Sequence, residues 1–306
     1  NGWADTSTRR TGCTESRLPE RSSWIDGVVA GYAVLAGVAL AFPHRPAAWP
    51  VLAAAHLALF GLAIQVARIR PWLDRPGTRR WIRVLADWYP LLVIPLLYAE
   101  LDALNTAVWG GRYFDALILA AEERLFGGQP SATLARSAPW LPLSEALHAA
   151  YLSYYPIIYL PPLALYLRGD REAYLSMLLP LITAFLLHYL VFVYFPVQGP
   201  RYIFPAPGGP IAGGPMYGLA HSILDAGSSR GAAFPSSHIA IATVQTVAAF
   251  RFLPRAAPFI LAATLGIGVG AVYGGFHYAT DMIAGALAGL AVAIPLLAAP
   301  WGRAGR

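Results

Sequence analysis

Apolar runs of about twenty residues, separated by short stretches rich in arginine, proline and glycine, set the pattern of this chain. A bilayer core of roughly 30 Å takes about twenty helical residues per crossing, so each run reads as a membrane helix. Eight spans are predicted, at 24–42, 50–69, 84–104, 141–167, 173–195, 238–253, 258–273 and 280–299. The sixth and seventh are short and lean on flanking residues to complete a crossing. Internal prolines at Pro95, Pro156, Pro161 and Pro162 predict kinks rather than breaks, because neighbouring helices satisfy the freed backbone groups. Residues 1–23 are polar, lack the apolar core of a signal peptide, and read as a disordered tail.

Composition supports this picture. With 57% hydrophobic and only 12% charged residues over 306 positions, the chain is too apolar for a soluble globule of its size, and it reads as an all-α integral membrane protein. Every basic residue is an arginine, and the arginines gather in the connections between apolar runs. That distribution is a topology signal and predicts no nucleic-acid partner. Cys13 is the single cysteine, which excludes an intramolecular disulfide and a cysteine-based metal site.

With the N-terminus in the cytoplasm, one face receives Arg9, Arg10, Arg17, Arg21, six arginines from Arg68 to Arg83, and then Arg168, Arg171, Arg251, Arg255, Arg303 and Arg306. The other keeps only Arg45, Arg112, Arg124, Arg136, Arg201 and Arg230. The positive-inside rule therefore predicts both termini in the cytoplasm. Arg201 follows span five, His238 opens span six and His277 follows span seven, so all three are predicted at the non-cytoplasmic face.

Two segments carry the chemistry there, Phe234-Pro235-Ser236-Ser237-His238 and His277-Tyr278-Ala279-Thr280-Asp281. Ionisable groups are costly at a membrane boundary, and a histidine is a nucleophile suited to phosphoryl transfer. Pro235 starts a helix well, and Ser236 and Ser237 supply hydroxyls where free N–H groups and the positive end of the helix dipole meet an oxyanion. A spacing of four puts His277 and Asp281 on one helix face, so the carboxylate holds one ring nitrogen and leaves the other to attack. The guanidinium of Arg201, in Gln198-Gly199-Pro200-Arg201, grips phosphate oxygens in pairs. No metal and no cofactor is predicted, since no further histidine or cysteine completes a tetrahedral set.

These motifs resemble the type 2 phosphatidic acid phosphatase superfamily, with its arginine motif, Pro-Ser-x-His motif and closing His-x-x-x-Asp motif over a six-helix core. The chain is most similar to the aureobasidin-resistance inositol phosphorylceramide synthases, the inositolphosphotransferase branch. That likeness rests on Phe234 to His238, on His277 to Gly285, and on Trp140-Leu141-Pro142 followed by Ala150 to Pro156. It covers residues 84–299 as a catalytic core, leaving 24–83 as two additional helices with an arginine-rich loop and 300–306 as a cytoplasmic tail. The resemblance implies His277 as the phosphorylated nucleophile and Asp281 as its orienter. It implies His238 as acid and then base, with Arg201, Ser236 and Ser237 on the phosphate. Tyr194 stands where the family pattern has a lysine, Tyr202 where it has a proline, and Gly270-Ala271 where it has a Ser-Arg pair. Arg230 is a candidate to replace a missing cation.

The implied substrate is a membrane lipid carrying a phosphate or phosphodiester, with a hydroxyl-bearing lipid or sugar as acceptor. Alternatives are a lipid phosphate or polyprenyl pyrophosphate phosphatase, with water as acceptor, and a non-catalytic lipid-binding or transport protein. His56, His148 and His188 read as packing residues, Asp87 as a partner of Arg83, and Glu100 and Asp102 as a solvated helix end. Residues 112–126 read as a helix in the outer interface, and 196–233 as a loop capping the site.

Overall fold

The structure is a computed structural model that describes residues 21–299 apart from 74 and 76. Cys13 and the 300–306 tail lie outside the described residues, as does the 1–23 tail except for its last three residues, which open the first helix.

Thirteen α-helices follow one another among the described residues: α1 (Arg21–Gly37), α2 (Trp49–Leu73), α3 (Arg80–Ala99), α4 (Leu101–Trp109), α5 (Asp115–Phe126), α6 (Pro130–Ser137), α7 (Leu141–Leu152), α8 (Tyr154–Leu167), α9 (Arg171–Tyr194), α10 (Pro215–Gly227), α11 (Ser237–Phe252), α12 (Ala257–Tyr273) and α13 (Ala279–Ala298). The first helix continues as a 3-10 turn to Ala41, and this segment with α2, α3, α9 and α13 is long and apolar enough to cross a membrane. The protein is thus an all-α integral membrane protein. Among the described residues no strand forms, and one isolated parallel bridge joins Val197 to Ala232.

Two predicted spans are interrupted. The fourth breaks at Ser153 into α7 and α8, where a kink was expected. Pro156 explains the break, since it has no N–H to give the Leu152 carbonyl and its ring crowds that carbonyl. The third ends at Ala99, and α4 resumes after Glu100.

The centre of the bundle is α9, which packs against α1, α3, α4, α8, α11 and α13 and is buried along most of its length. The two N-terminal helices reach it through α1. At the α1–α2–α3 junction the buried Arg70 donates to both oxygens of Asp26, to Asp87 Oδ1 at 2.8 Å and to the Ala86 carbonyl. Arg171 adds two bonds to Asp87, and Tyr89 donates to Asp26. Asp87 is therefore not the partner of Arg83, whose guanidinium caps the Leu73 carbonyl at the end of α2. Glu100 is likewise no solvated helix end: its largely covered side chain lies 3.2 Å from His56 Nε2. His56, His148 and His188 each donate from Nδ1 to a helix carbonyl, as packing residues do.

Glycine sets the closest approaches around the site. A Cβ on Gly285 of α13 would sit 2.3 Å from the Ser236 carbonyl oxygen, and one on Gly289 2.5 Å from that of Ala240. Neither backbone yields cheaply. Gly285→Ala is expected to destabilise the protein by about 1–3 kcal/mol, the usual cost of overpacking, and to lower its melting temperature in detergent. An unchanged melting temperature would show that α11 and α13 do not need this contact.

Candidate active site

Three segments converge at one end of α9, α11 and α13. The chain leaves α9 at Tyr194, pairs Val197 with Gly231 and Ala233 through backbone hydrogen bonds, and turns at Gly199 into a 3-10 turn that carries Arg201. Gly199 has φ +92°, and a Cβ there would lie 2.9 Å from that of Ala233, so only glycine fits. Ala233 leads into Pro235 and the start of α11, and the Ser236 N–H donates to the Asp281 carbonyl on α13. Backbone alone thus ties the arginine loop to the first histidine segment, and that segment to the second.

The side chains form a directional chain. His277 Nδ1 lies 3.3 Å from Asp281 Oδ2, an oxygen that also accepts the Tyr278 N–H at 2.9 Å. A carboxylate accepts, so the proton sits on Nδ1 and the lone pair on Nε2. His277 Nε2 faces His238 Nδ1 at 3.3 Å and Ser236 Oγ at 3.4 Å. His238 Nε2 in turn lies 3.2 Å from the Tyr151 hydroxyl, which donates to it. The His238 ring is held between Tyr151 and Tyr154, at 5.2 and 4.2 Å between ring centres. His277, Asp281 and Ser236 are buried.

Arg201 shares a small cavity of about 30 Å³ with His238 and His277. Its guanidinium donates to Asp225 at 2.6 Å and to Ser228 Oγ at 3.0 Å. Arg230 does not line that cavity. It stands 4.8 Å from the centre of the Tyr202 ring, with Arg201 5.2 Å from the same ring. Tyr202, in place of the expected proline, thus gathers two cations around one aromatic ring. Ser237 lines instead an apolar groove of about 380 Å³ that runs from His238 between α3, α8, α9 and α10.

The other departures from the family pattern have local causes. Tyr194, at the lysine position, donates to the Leu35 carbonyl of α1, so that helix face serves the N-terminal pair. Gly270 lies against α7, where a Cβ would meet the Leu147 carbonyl oxygen at 2.3 Å, so a serine does not fit.

Sequence reasoning missed the residues that brace the site from α5. Asp115 is buried and accepts the N–H groups of Gln198 and Gly199 and the hydroxyl of Tyr278 at 3.0 Å. Glu122 accepts the Thr280 N–H at 3.0 Å, at the start of α13. Burial raises the Glu122 carboxyl above its usual range, while the backbone donors oppose that shift. The sequence reading placed both acids only within a helix of the outer interface. They are turned inward because two motif loops lie against α5. The 196–233 stretch carries α10 and two 3-10 turns.

A family model described as the PAP2 superfamily matches residues 117–294, more than half of the chain, and the protein belongs to that superfamily. Its members are phosphatases and phosphotransferases acting on lipid phosphates. No curated protein and no solved structure matches the chain.

Proposed function

We propose that this protein transfers a phosphoryl or phospho-head group of a membrane lipid, without a metal, through a phosphohistidine at His277, as an inositolphosphotransferase-like enzyme. The observation that carries the reading is the chain Asp281, His277, His238, Tyr151, whose His238 also lines an apolar groove of about 380 Å³. The substrate lipid lies in the groove with its phosphate between the two histidines.

The first half-reaction breaks the lipid O–P bond and forms the N–P bond at His277 Nε2, with His238, entering the step as the imidazolium while the Tyr151 hydroxyl accepts from its Nε2, passing its other proton to the leaving oxygen. Asp281 holds the Nδ1 proton and stabilises the charged ring. The second half-reaction reverses these roles: His238 takes the acceptor's proton, the acceptor oxygen joins phosphorus, and His277 is freed. The cavity at Arg201 is nearer to a water than a phosphate in size, so substrate entry turns the Arg201 fork from Asp225 toward the phosphate oxygens. The first turn of α11 adds free N–H groups and the positive end of its dipole. The arginine distribution supports a site at the non-cytoplasmic face with both termini in the cytoplasm. The resemblance to the six-helix core, with the family match over residues 117–294, supports a catalytic core at 84–299 preceded by two added helices.

A hydrolase uses the same first half-reaction, with water as acceptor. Purified protein in micelles with phosphorus-labelled lipid, with and without a hydroxyl-bearing lipid, separates the two. Label is expected on the second lipid, and release solely as inorganic phosphate in the presence of acceptor would overturn the transferase reading.

A further inference from the structure

Tyr98 stands in the last turn of α3, where Leu96, Leu97 and Ala99 make it read as one more aromatic of an apolar run. The fold gives it two neighbours far along the chain. Its ring packs against Tyr189 of α9 at 5.9 Å between centres, and its hydroxyl accepts the Ser229 N–H at 3.2 Å, from the loop that follows α10. Tyr98 and Ser229 both line the small cavity shared by Arg201, His238 and His277, and Tyr98 lines the apolar groove as well. It therefore stands where the two meet. A phenol hydroxyl both accepts and donates. The Tyr98 oxygen is engaged by Ser229, while its proton has no acceptor among the described residues. The other two tyrosines of the cavity are committed: the Tyr151 hydroxyl is paired with His238 Nε2 at 3.2 Å, and that of Tyr202 with Ser228 Oγ at 3.0 Å.

We infer that Tyr98 is a catalytic residue whose hydroxyl donates a hydrogen bond to a non-bridging oxygen of the transferred phosphate. The inference rests on the function proposed above and adds to it a donor from α3. Negative charge spreads over those oxygens as the group passes to His277, so a donor fixed in advance stabilises the transition state more than the bound lipid. The need for one is visible in the chain. Tyr194, at the lysine position of the family pattern, turns to α1, Gly270-Ala271 replaces the Ser-Arg pair, and Arg230 does not line the cavity. A neutral hydroxyl supplies a donor beside an apolar groove without the cost of burying a second cation there. The lipid O–P bond breaks and the N–P bond at His277 Nε2 forms as above, with His238 protonating the leaving oxygen. Tyr98 keeps its proton throughout.

The test uses the full chain in micelles with orthovanadate, an anion that takes the five-coordinate shape of the phosphoryl transition state, and vanadium NMR to read its binding. Tyr98→Phe keeps the ring and removes the hydroxyl. It is expected to weaken orthovanadate binding by about 10- to 100-fold, the range lost with one hydrogen bond to a charged group. A similar loss is expected in kcat for phosphorus-labelled phosphatidylinositol, with KM little changed, because the contact strengthens in the transition state. A hydroxyl that only holds Ser229 would lower the melting temperature and leave orthovanadate binding by the folded protein as it was. Replacing Tyr98 alone by ortho-fluorotyrosine keeps the shape and makes the hydroxyl a stronger donor and a weaker acceptor, so the two roles predict opposite signs. Donation to the phosphate predicts tighter orthovanadate binding. Unchanged binding in Tyr98→Phe, or weaker or unchanged binding in the fluorinated protein, overturns the inference. Failure of the phosphohistidine mechanism looks different: turnover then survives His277→Ala, while the orthovanadate measurements still judge Tyr98.

Discussion

His277→Ala is expected to lower lipid turnover by at least about 10⁴-fold, to the level of the micelle background. Removing a nucleophile from a site whose residues act as a unit costs nearly the whole of its chemistry. The proposed mechanism makes its Nε2 the nucleophile because Nδ1 is committed to Asp281, and because Nε2 faces His238 and Ser236. His56, His148 and His188 instead spend Nδ1 on a helix carbonyl. A brief quench of the unmodified protein with phosphorus-labelled lipid should trap label that acid removes and alkali does not, the behaviour of a phosphoramidate. The alanine variant should trap none. Turnover that survives in a folded His277→Ala protein, checked by an unchanged melting temperature, would sink the phosphohistidine mechanism.

The helical membrane architecture and the two histidine segments were legible because both are local signals. A span is a composition over about twenty residues, and the four-residue step from His277 to Asp281 lies within a single turn. What stayed hidden depends on partners far away in sequence. Asp115 reaches Tyr278 across 163 residues, and within its own helix it looks like any acid on a wet face. Tyr151 reads as one more aromatic in an apolar run, and only the fold sets its hydroxyl against His238, 87 residues on. Glu100 was misread for the same reason, since its partner His56 belongs to a helix of the N-terminal pair. The break at Ser153 was a local error: a proline three residues into a helix restart looks, in sequence, like a kink.

The departures from the family pattern follow from the neighbours this chain has acquired. Tyr194 turns to α1, and Gly270 is pressed against α7, so two positions that carry polar groups in the pattern are given over to helix packing here. Tyr202 stands beside both Arg201 and Arg230, 5.2 and 4.8 Å from its ring centre.

Asp115→Ala is expected to slow turnover by about 100-fold, because the arginine loop and the nucleophile's loop lose their common anchor and small displacements at a reacting centre carry losses of that order. Asp115 takes two N–H groups from the loop that presents Arg201 and the hydroxyl of the residue next to His277. Removing the carboxylate strands both N–H groups, at about 1–3 kcal/mol each where they stay dry, so a lower melting temperature is also expected. A structural role alone would stop there. Positioning predicts more: kcat falls in the protein that remains folded, KM for the lipid changes little because the groove lies on α3, α8 and α9, and Tyr278→Phe reproduces part of the loss. In a double-mutant cycle Asp115 and Tyr278 should couple by about 0.5–3 kcal/mol, as contacting residues in one network do. Additive effects, or an Asp115→Ala protein that melts early yet turns over at the normal rate when folded, would make α5 a brace for the fold and remove it from the site.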